Sequence, residues 1–296
     1  MEMRNPVLLE DNAGDVVAKA QRGLGLDDAT LAALSGLPET LVYAVKEGLL
    51  DPDALRQIAP VLELDIDALL GLACHAWPSV PAMPEEGFAR FSTPFGQGLH
   101  VNNFLAWSPA TREAAIFDTG TSPGALFTFI RERGIAPVRA IFITHAHHDH
   151  VAALGELVVA TGAKVWLSAR EPFPSAPVGI CPFDAGASFP IGDLLVETLD
   201  VCGHSPGQTA FLITGLSRRV IVVGDALFAG SMGGCSGTYH EQRCNTAARI
   251  LSQAPDTLIA PGHGPVTSPA IEWRHNPVFA KKAWHAFQLV REQAGA

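Results

Sequence analysis

The sequence predicts an α/β domain, with its sheets inside and its helices outside, preceded by a small all-α domain. Three observations lead there. Apolar residues recur at helical spacing through residues 15–72. From Phe88 onward, short apolar runs alternate with helical patterns, the signature of sheets covered by helices. Between the two lies a stretch with Pro78, Pro81 and Pro84, which reads as a linker. The expected boundaries are 1–73 for the helical domain, 74–87 for the linker and 88–296 for the larger domain. With 48% hydrophobic and 17% charged residues in a 296-residue chain, there are enough apolar side chains for a sizeable core, which excludes a disordered chain.

In the helical part the periodic positions are Leu31, Leu34, Leu37, Leu41 and Val45, then Leu55, Ile58, Val61, Leu62, Ile66 and Leu69, with turn signals at Gly36, Gly48 and Asp51-Pro52. The stretch from Leu31 to Gly48 resembles helix-turn-helix domains of the phage-repressor type. The resemblance implies that Gly36 sits in the turn and that Pro38 to Lys46 forms the recognition helix. A helix that reads DNA needs cations and amides on its outer face; this one offers Glu39, Thr40, Tyr43 and Lys46. Residues 1–72 hold five Lys+Arg against thirteen Asp+Glu, a net charge of −8, the wrong sign for displacing counterions from phosphates. The expected role is packing or homodimerisation, with no nucleic-acid partner.

In the larger part, strands are expected near 88–92, 101–107 and 113–117, a helix near 122–133, a strand at 138–143, a helix near 151–161 and a strand at 164–168. Residues 169–188, with Pro172, Pro174, Pro177 and Pro182, read as a long loop. Strands near 193–201, 208–214 and 219–223 follow, then a helix near 240–253 and a strand near 257–260.

Composition removes several classes of function. No apolar run reaches the roughly 18 residues of a membrane span, and no basic stretch followed by a long apolar run opens the chain, so a cytoplasmic protein without a membrane partner is expected. Five cysteines (Cys74, Cys181, Cys202, Cys235 and Cys244), with no Cys-x-x-Cys pair, argue against a disulfide framework or a zinc ribbon. The formal charge of −10 disfavours nucleic acid.

The chemistry lies at the ends of apolar runs. Ala140-Ile-Phe-Ile143 feeds into Thr144-His-Ala-His-His-Asp-His150, four histidines and an aspartate within six residues. Imidazole and carboxylate donors suit zinc, iron or manganese. One loop supplies too few ligands, and three more candidates follow strand-like runs beside a glycine: His204 in Gly203-His-Ser-Pro-Gly207, Asp225 in Gly224-Asp-Ala-Leu-Phe228, and His263 in Pro261-Gly-His-Gly264.

This ordered set resembles the metallo-β-lactamase superfamily, over roughly residues 90–266. The resemblance implies a four-layer αββα sandwich and two divalent metal ions, zinc above all, with iron or manganese as the other options. His145, His147 and His204 would hold the first ion; Asp149, His150 and His263 the second; Asp225 would bridge them. Asp118, in Ile116-Phe-Asp-Thr-Gly120, matches the aspartate that supports the metal loop. His148 falls at the variable position and is not expected to ligate.

The implied activity is hydrolysis of a small-molecule ester, thioester or lactone by a metal-bridged hydroxide, with Asp149 orienting it. Gly224-Asp-Ala-Leu-Phe-Ala-Gly230 is similar to the glyoxalase II (hydroxyacylglutathione hydrolase) subgroup, and Arg274-His-Asn-Pro277 to its C-terminal segment. Two other functions stay open. One is a persulfide dioxygenase using a single iron on His145, His204 and Asp225. The other is a regulatory or binding protein built on the helix-turn-helix-like part. Phe95, Asn102, Tyr239, His240 and Arg243 are the candidate substrate-facing residues, since their segments flank the metal loops.

Overall fold

The computed structural model describes residues 7–96, 98–173, 176–281, 284–285 and 287–288. Five short helices come first: α1 Ala13–Gly23, α2 Asp28–Ser35, α3 Glu39–Lys46, α4 Pro52–Val61 and α5 Ile66–Ala73. Side chains at their starts take up the free backbone N–H groups: Asn12, in a reciprocal capping box with Asp15, then Asp27, Asp51 and Asp65. Gly36 closes α2 in the left-handed conformation at φ 72°, as the turn between α2 and α3 requires.

Two sheets follow. The first runs in the order β1 Phe88–Phe95, β2 Leu99–Trp107, β3 Ala114–Phe117, β4 Val138–Phe142, β5 Lys164–Ser168 and β6 Ile180–Phe183. The second runs β11 Leu258–Pro261, β10 Val220–Gly224, β9 Thr209–Thr214, β8 Leu194–Asp200 and β7 Ser188–Ile191. Strands β3 to β6 pair in parallel, as do β10 and β11; the remaining pairs are antiparallel. Helices α6 Gly124–Arg133, α7 His148–Val151 and α8 Leu154–Thr161 cover the first sheet. The helix α9 Tyr239–Thr246, continued by a π-helical turn Ala247–Leu251, and α10 Pro269–His275 lie with the second.

The period-two alternation of the strands builds the layers. Phe104, Ala106, Phe117, Ala140 and Phe142 face Val196, Phe211, Ile213, Val220 and Val222 across the sandwich. The intervening Leu105, Ile116 and Ile141 point outward to Leu126, Leu154 and Leu157. On the other side, Ile221, Val223 and Ile259 point outward to a core that α9 shares with the N-terminal helices, through Val16, Val17, Leu31, Leu55, Ile58, Leu62, Leu69 and Leu72. The result is the expected four-layer αββα sandwich, and the N-terminal helices belong to its fourth layer, where they spend their apolar stripe.

Three local expectations are corrected and one helix is added. The stretch 169–188 contains β6 and leads into β7; both are edge strands, which tolerate Pro182 and Pro190 because one side of the strand needs no ladder bond. The helix expected near 151–161 starts earlier and is broken between Val151 and Leu154. The helix near 240–253 changes to π-helical hydrogen bonding at Ala247. Helix α10 was not anticipated, although Ser268 followed by Pro269 at its first position is a start signal.

Candidate metal centre

The topology brings the motifs together. β8 is antiparallel to β9, and β9 to β10, so β8, β10 and β11 run the same way and end on one side of the second sheet. His204, Asp225 and His263 follow those three ends. In the first sheet the parallel neighbours β3 and β4 end side by side, at Asp118 and at the His145 loop. The two sheet ends are tied where the Thr209 amide donates to the Thr144 carbonyl at 3.0 Å. Gly224 makes this approach feasible: it has φ 51°, and a Cβ there would lie 2.5 Å from the Thr144 hydroxyl.

All seven expected ligands converge. Three groups have ligand atoms within 4.8 Å of one another: His145, His147 and His204; His145, His150 and Asp225; Asp149, His150 and His263. Asp225 reaches both ends of the cluster. Its Oδ1 is 3.2 Å from His150 Nε2, and its Oδ2 is 3.6 Å from the Nε2 atoms of both His204 and His263. His148 is exposed and belongs to none of the groups, as expected.

The outer hydrogen bonds fix which ring nitrogen faces the centre. Asp118 accepts the Thr144 amide and the Thr144 hydroxyl, each at 2.8 Å, and faces His150 Nδ1 at 2.8 Å. With its proton given to Asp118, the Thr144 oxygen is left to accept from His145 Nδ1 at 3.0 Å. His204 Nδ1 donates to the Gly234 carbonyl at 2.7 Å, and His263 Nδ1 to the His100 carbonyl at 2.8 Å. Four imidazoles thereby turn Nε2 inward. His147 Nδ1 lies 3.0 Å from both His145 Nε2 and His204 Nε2. Buried His150 Nε2 and Asp225 Oδ1 face each other at 3.2 Å and have no other hydrogen-bond partner among the described residues. Lone pairs packed this closely repel unless a cation lies between them, so the donor set fits metal ions.

Charge is divided among the rings: against burial, Asp225 and Asp118 raise His150 well above the usual imidazole range, and Asp149 and Asp225 raise His263 to about 8, so these two rings carry protons that a metal ion would displace. Burial, reinforced by the neighbouring His150, pushes the His145 pKa well below its usual range, and burial lowers that of His204, so both rings stay neutral and able to ligate. Asp225 is held far below the usual carboxylate range: burial opposes this, but His150 and His263 outweigh it. Asp149 is lowered as well, by His263 and His150 against its own burial. Cys202 is pushed up to about 11 by burial and by Asp200 and Glu241, which keeps the thiol protonated and unsuited to nucleophilic attack.

A cleft of about 430 Å³ opens onto the centre. Of the candidate substrate-facing residues, only Phe95 lines it. Asn102 is buried and donates to the carbonyls of Pro261 and Gly264, holding the His263 loop. Arg243 is fully buried, paired with Glu63 and bonded to the Val278 carbonyl; Tyr239 packs in the core against α1, and His240 pairs with Glu63 at 3.2 Å. These three tie α9 to the N-terminal helices. A second cavity, about 550 Å³ beside α5 and α10, holds no cluster of metal-binding side chains among the described residues.

Two features of the site were not visible in the sequence. Glu171, buried in the stretch read as a loop, accepts the Ala146 amide at 3.0 Å, the Ser205 hydroxyl at 2.8 Å and the Gly207 amide at 2.8 Å. One carboxylate thus clamps the His147 and His204 loops together. Glu10 and Lys19, from the helical part, line the cleft. The one available signal was the pair Lys19 and Arg22 in an otherwise acidic stretch.

The profile of the metallo-β-lactamase superfamily matches residues 96–263, and the chain belongs to that superfamily. Among relatives, the hydroxyacylglutathione hydrolase GloC of Haemophilus influenzae is 28% identical over 203 residues, 62% of this chain and 94% of the relative. The hydroxyacylglutathione hydrolase of Pseudomonas entomophila is 28% identical over 160 residues, 54% of this chain but only 60% of the longer relative. Among solved structures, ETHE1 from Myxococcus xanthus is similar at 25% identity and a TM-score of 0.55, covering 70% of this chain and 92% of that one. A protein solved in a di-iron-bound form, TTHA1623, is similar at 30% identity and a TM-score of 0.51, covering 63% and 98%.

Proposed function

We propose that this chain is a dinuclear metal-dependent hydrolase that cleaves a thioester, ester or lactone, with a hydroxyacylglutathione-type thioester as the leading substrate. One observation carries the reading: seven inward-facing donors from four separate loops, with Asp225 reaching both clusters. His145, His147 and His204 would hold one ion, Asp149, His150 and His263 the other, and Asp225 both. Zinc suits this set best; iron or manganese is the alternative. When bound, such a pair supplies Lewis acidity and an activated water at neutral pH.

The chain's own side chains do the rest. Asp149, kept ionised, is a proton acceptor at the rim and orients the attacking water. Asp118, Thr144 and the carbonyls of His100 and Gly234 hold the imidazoles, so that little reorganisation accompanies reaction. Phe95 and Phe228 give the cleft an apolar wall for the acyl group. The family resemblance and the hydroxyacylglutathione hydrolase relatives support this reading. The test is turnover of lactoylglutathione and simple thioesters by metal-reconstituted protein. The expected result is activity that chelation abolishes; its absence across thioesters, esters and lactones would refute the proposal.

The likeness to ETHE1 favours a second reading, a mononuclear iron persulfide dioxygenase resting on His145, His204 and Asp225. Oxygen consumption with glutathione persulfide, at one iron per chain, would select it. A DNA-binding role for the N-terminal helices has less support, because Lys46, the one cation on the candidate recognition helix, is ion-paired with Asp28.

A further inference from the structure

The N-terminal helices reach the metal cleft, and they bring charge to it. Val16, Val17 and Ala20 anchor α1 in the fourth-layer core, which sets Lys19 on the cleft wall. Lys19 is held in place: its ammonium pairs with the buried Asp11 at 2.5 Å and lies 4.8 Å from the centre of the Phe228 ring. Asp11 in turn takes the Ser231 hydroxyl, so Lys19 is locked to the loop that follows Asp225. Arg22, one turn further along α1 and exposed, overhangs the same loop. A Cβ placed on Gly234 would meet Arg22 Nη2 at 3.7 Å and Lys19 Cγ at 3.9 Å. The segment beneath these cations is Gly233-Gly234, with no side chains of its own, and the Gly234 carbonyl holds His204.

Lys19 lines the cleft with its ammonium over Phe228, and Arg22 stands above Gly234, whose carbonyl holds His204; Glu10 stands 3.7 Å from His263. Phe95, Leu99 and Phe228 also line the cleft. We propose that Lys19 and Arg22 form the recognition edge for a carboxylate on the substrate. The acyl end, lying against Phe95 and Leu99, is uncharged. The N-terminal helical unit is then a specificity element of the active site. This inference rests on the reading of the centre as a metal site, and it deepens the proposed hydrolase by naming a singly anionic substrate class.

The test separates the two. Zinc-loaded full-length protein is titrated calorimetrically with mercaptopropionate and mercaptobutyrate, each against its neutral amide, whose thiol is equally able to bind the metal. The wild type is expected to bind at least one acid about tenfold more tightly than its amide, by a margin that shrinks with added salt. Lys19→Met with Arg22→Met should erase that margin and leave amide binding and zinc content unchanged, while Lys19→Arg with Arg22→Lys should keep it. Equal binding of acids and amides by the wild type overturns the proposal, as does a margin that survives both methionine substitutions. If neither thiol binds zinc-loaded protein, the metal reading fails and the proposal fails with it. If the margin is present and thioesters are not turned over, the hydrolase reading falls and the recognition edge stands.

Discussion

Single side chains in this protein divide into those that face the centre and those that hold them there. His147→Ala and Asp225→Ala remove inward donors and are expected to lose metal and at least about a hundredfold in activity, whereas His148→Ala, exposed and outside every cluster, should lose neither. Metal analysis of the three variants checks this; equal metal content in all of them would break the ligand assignment. Glu171→Ala should weaken metal binding by about tenfold to a hundredfold while touching no ligand, because it releases the His147 and His204 loops together. Glu272 gives a pH test remote from the centre. Burial raises its carboxyl from 4.5 to about 7, against the hydrogen bonds from Thr267, Asn276 and the Gly230 amide. The folded state therefore holds a proton that the unfolded state releases, so this contribution is full below about pH 4.5 and is lost as pH rises through about 7. A melting-temperature series from about pH 5 to 8 should show wild-type stability falling relative to Glu272→Gln; a constant difference between the two would contradict it. The candidate ligands were legible as residues because their types and spacing are chemically specific. Glu171 was not, since a lone glutamate in a Pro-rich stretch is indistinguishable from a solvated one.

At the scale of elements, the strand ends and their glycines make the centre. Gly262 has no left-handed requirement, only a space requirement: a Cβ there would stand 2.3 Å from Asp225 Oδ1 and 2.7 Å from His150 Cε1. Gly262→Ala is expected to displace the Asp225 carboxylate, cutting metal content and activity by about tenfold or more with the circular dichroism spectrum unchanged. Retention of full metal content would show that the turn has slack the packing does not reveal. Most strands were legible, because Val220-Ile-Val-Val223 and Ala140-Ile-Phe-Ile143 are buried on both faces and read as continuous apolar runs. β6 and β7 were hidden by their prolines, and the break between α7 and α8 by a local sequence that still reads as one helix. The substrate-facing candidates on α9 failed for a related reason. Sequence places Tyr239, His240 and Arg243 near the metal loops in the chain, but only the packing of α9 on the N-terminal helices decides which way they turn, and it turns them away from the cleft.

Over the whole molecule, the N-terminal helices and the second sheet share one core, which also sets Glu10 and Lys19 on the cleft. Ile58, fully buried in it, should cost about 2–5 kcal/mol when cut to Ala, and denaturant unfolding should remain a single transition for both halves. Two separate transitions would mean that the helices fold independently of the sandwich. The Pro-rich stretch resembles a tether in sequence, yet Trp77 within it lies against Gly230 and Met83 packs on the inter-sheet core, contacts no local pattern announces. The same packing brings Glu10 and Lys19 to the cleft, which is why a reading of the helices alone missed them. The proposed function depends on donors from both sheets closing around a pair of cations. Anomalous diffraction from crystals of zinc-loaded protein measures that directly. The account predicts two peaks, one among His145, His147 and His204 and one among Asp149, His150 and His263, with Asp225 touching both. A single peak, or zinc bound elsewhere, would contradict it.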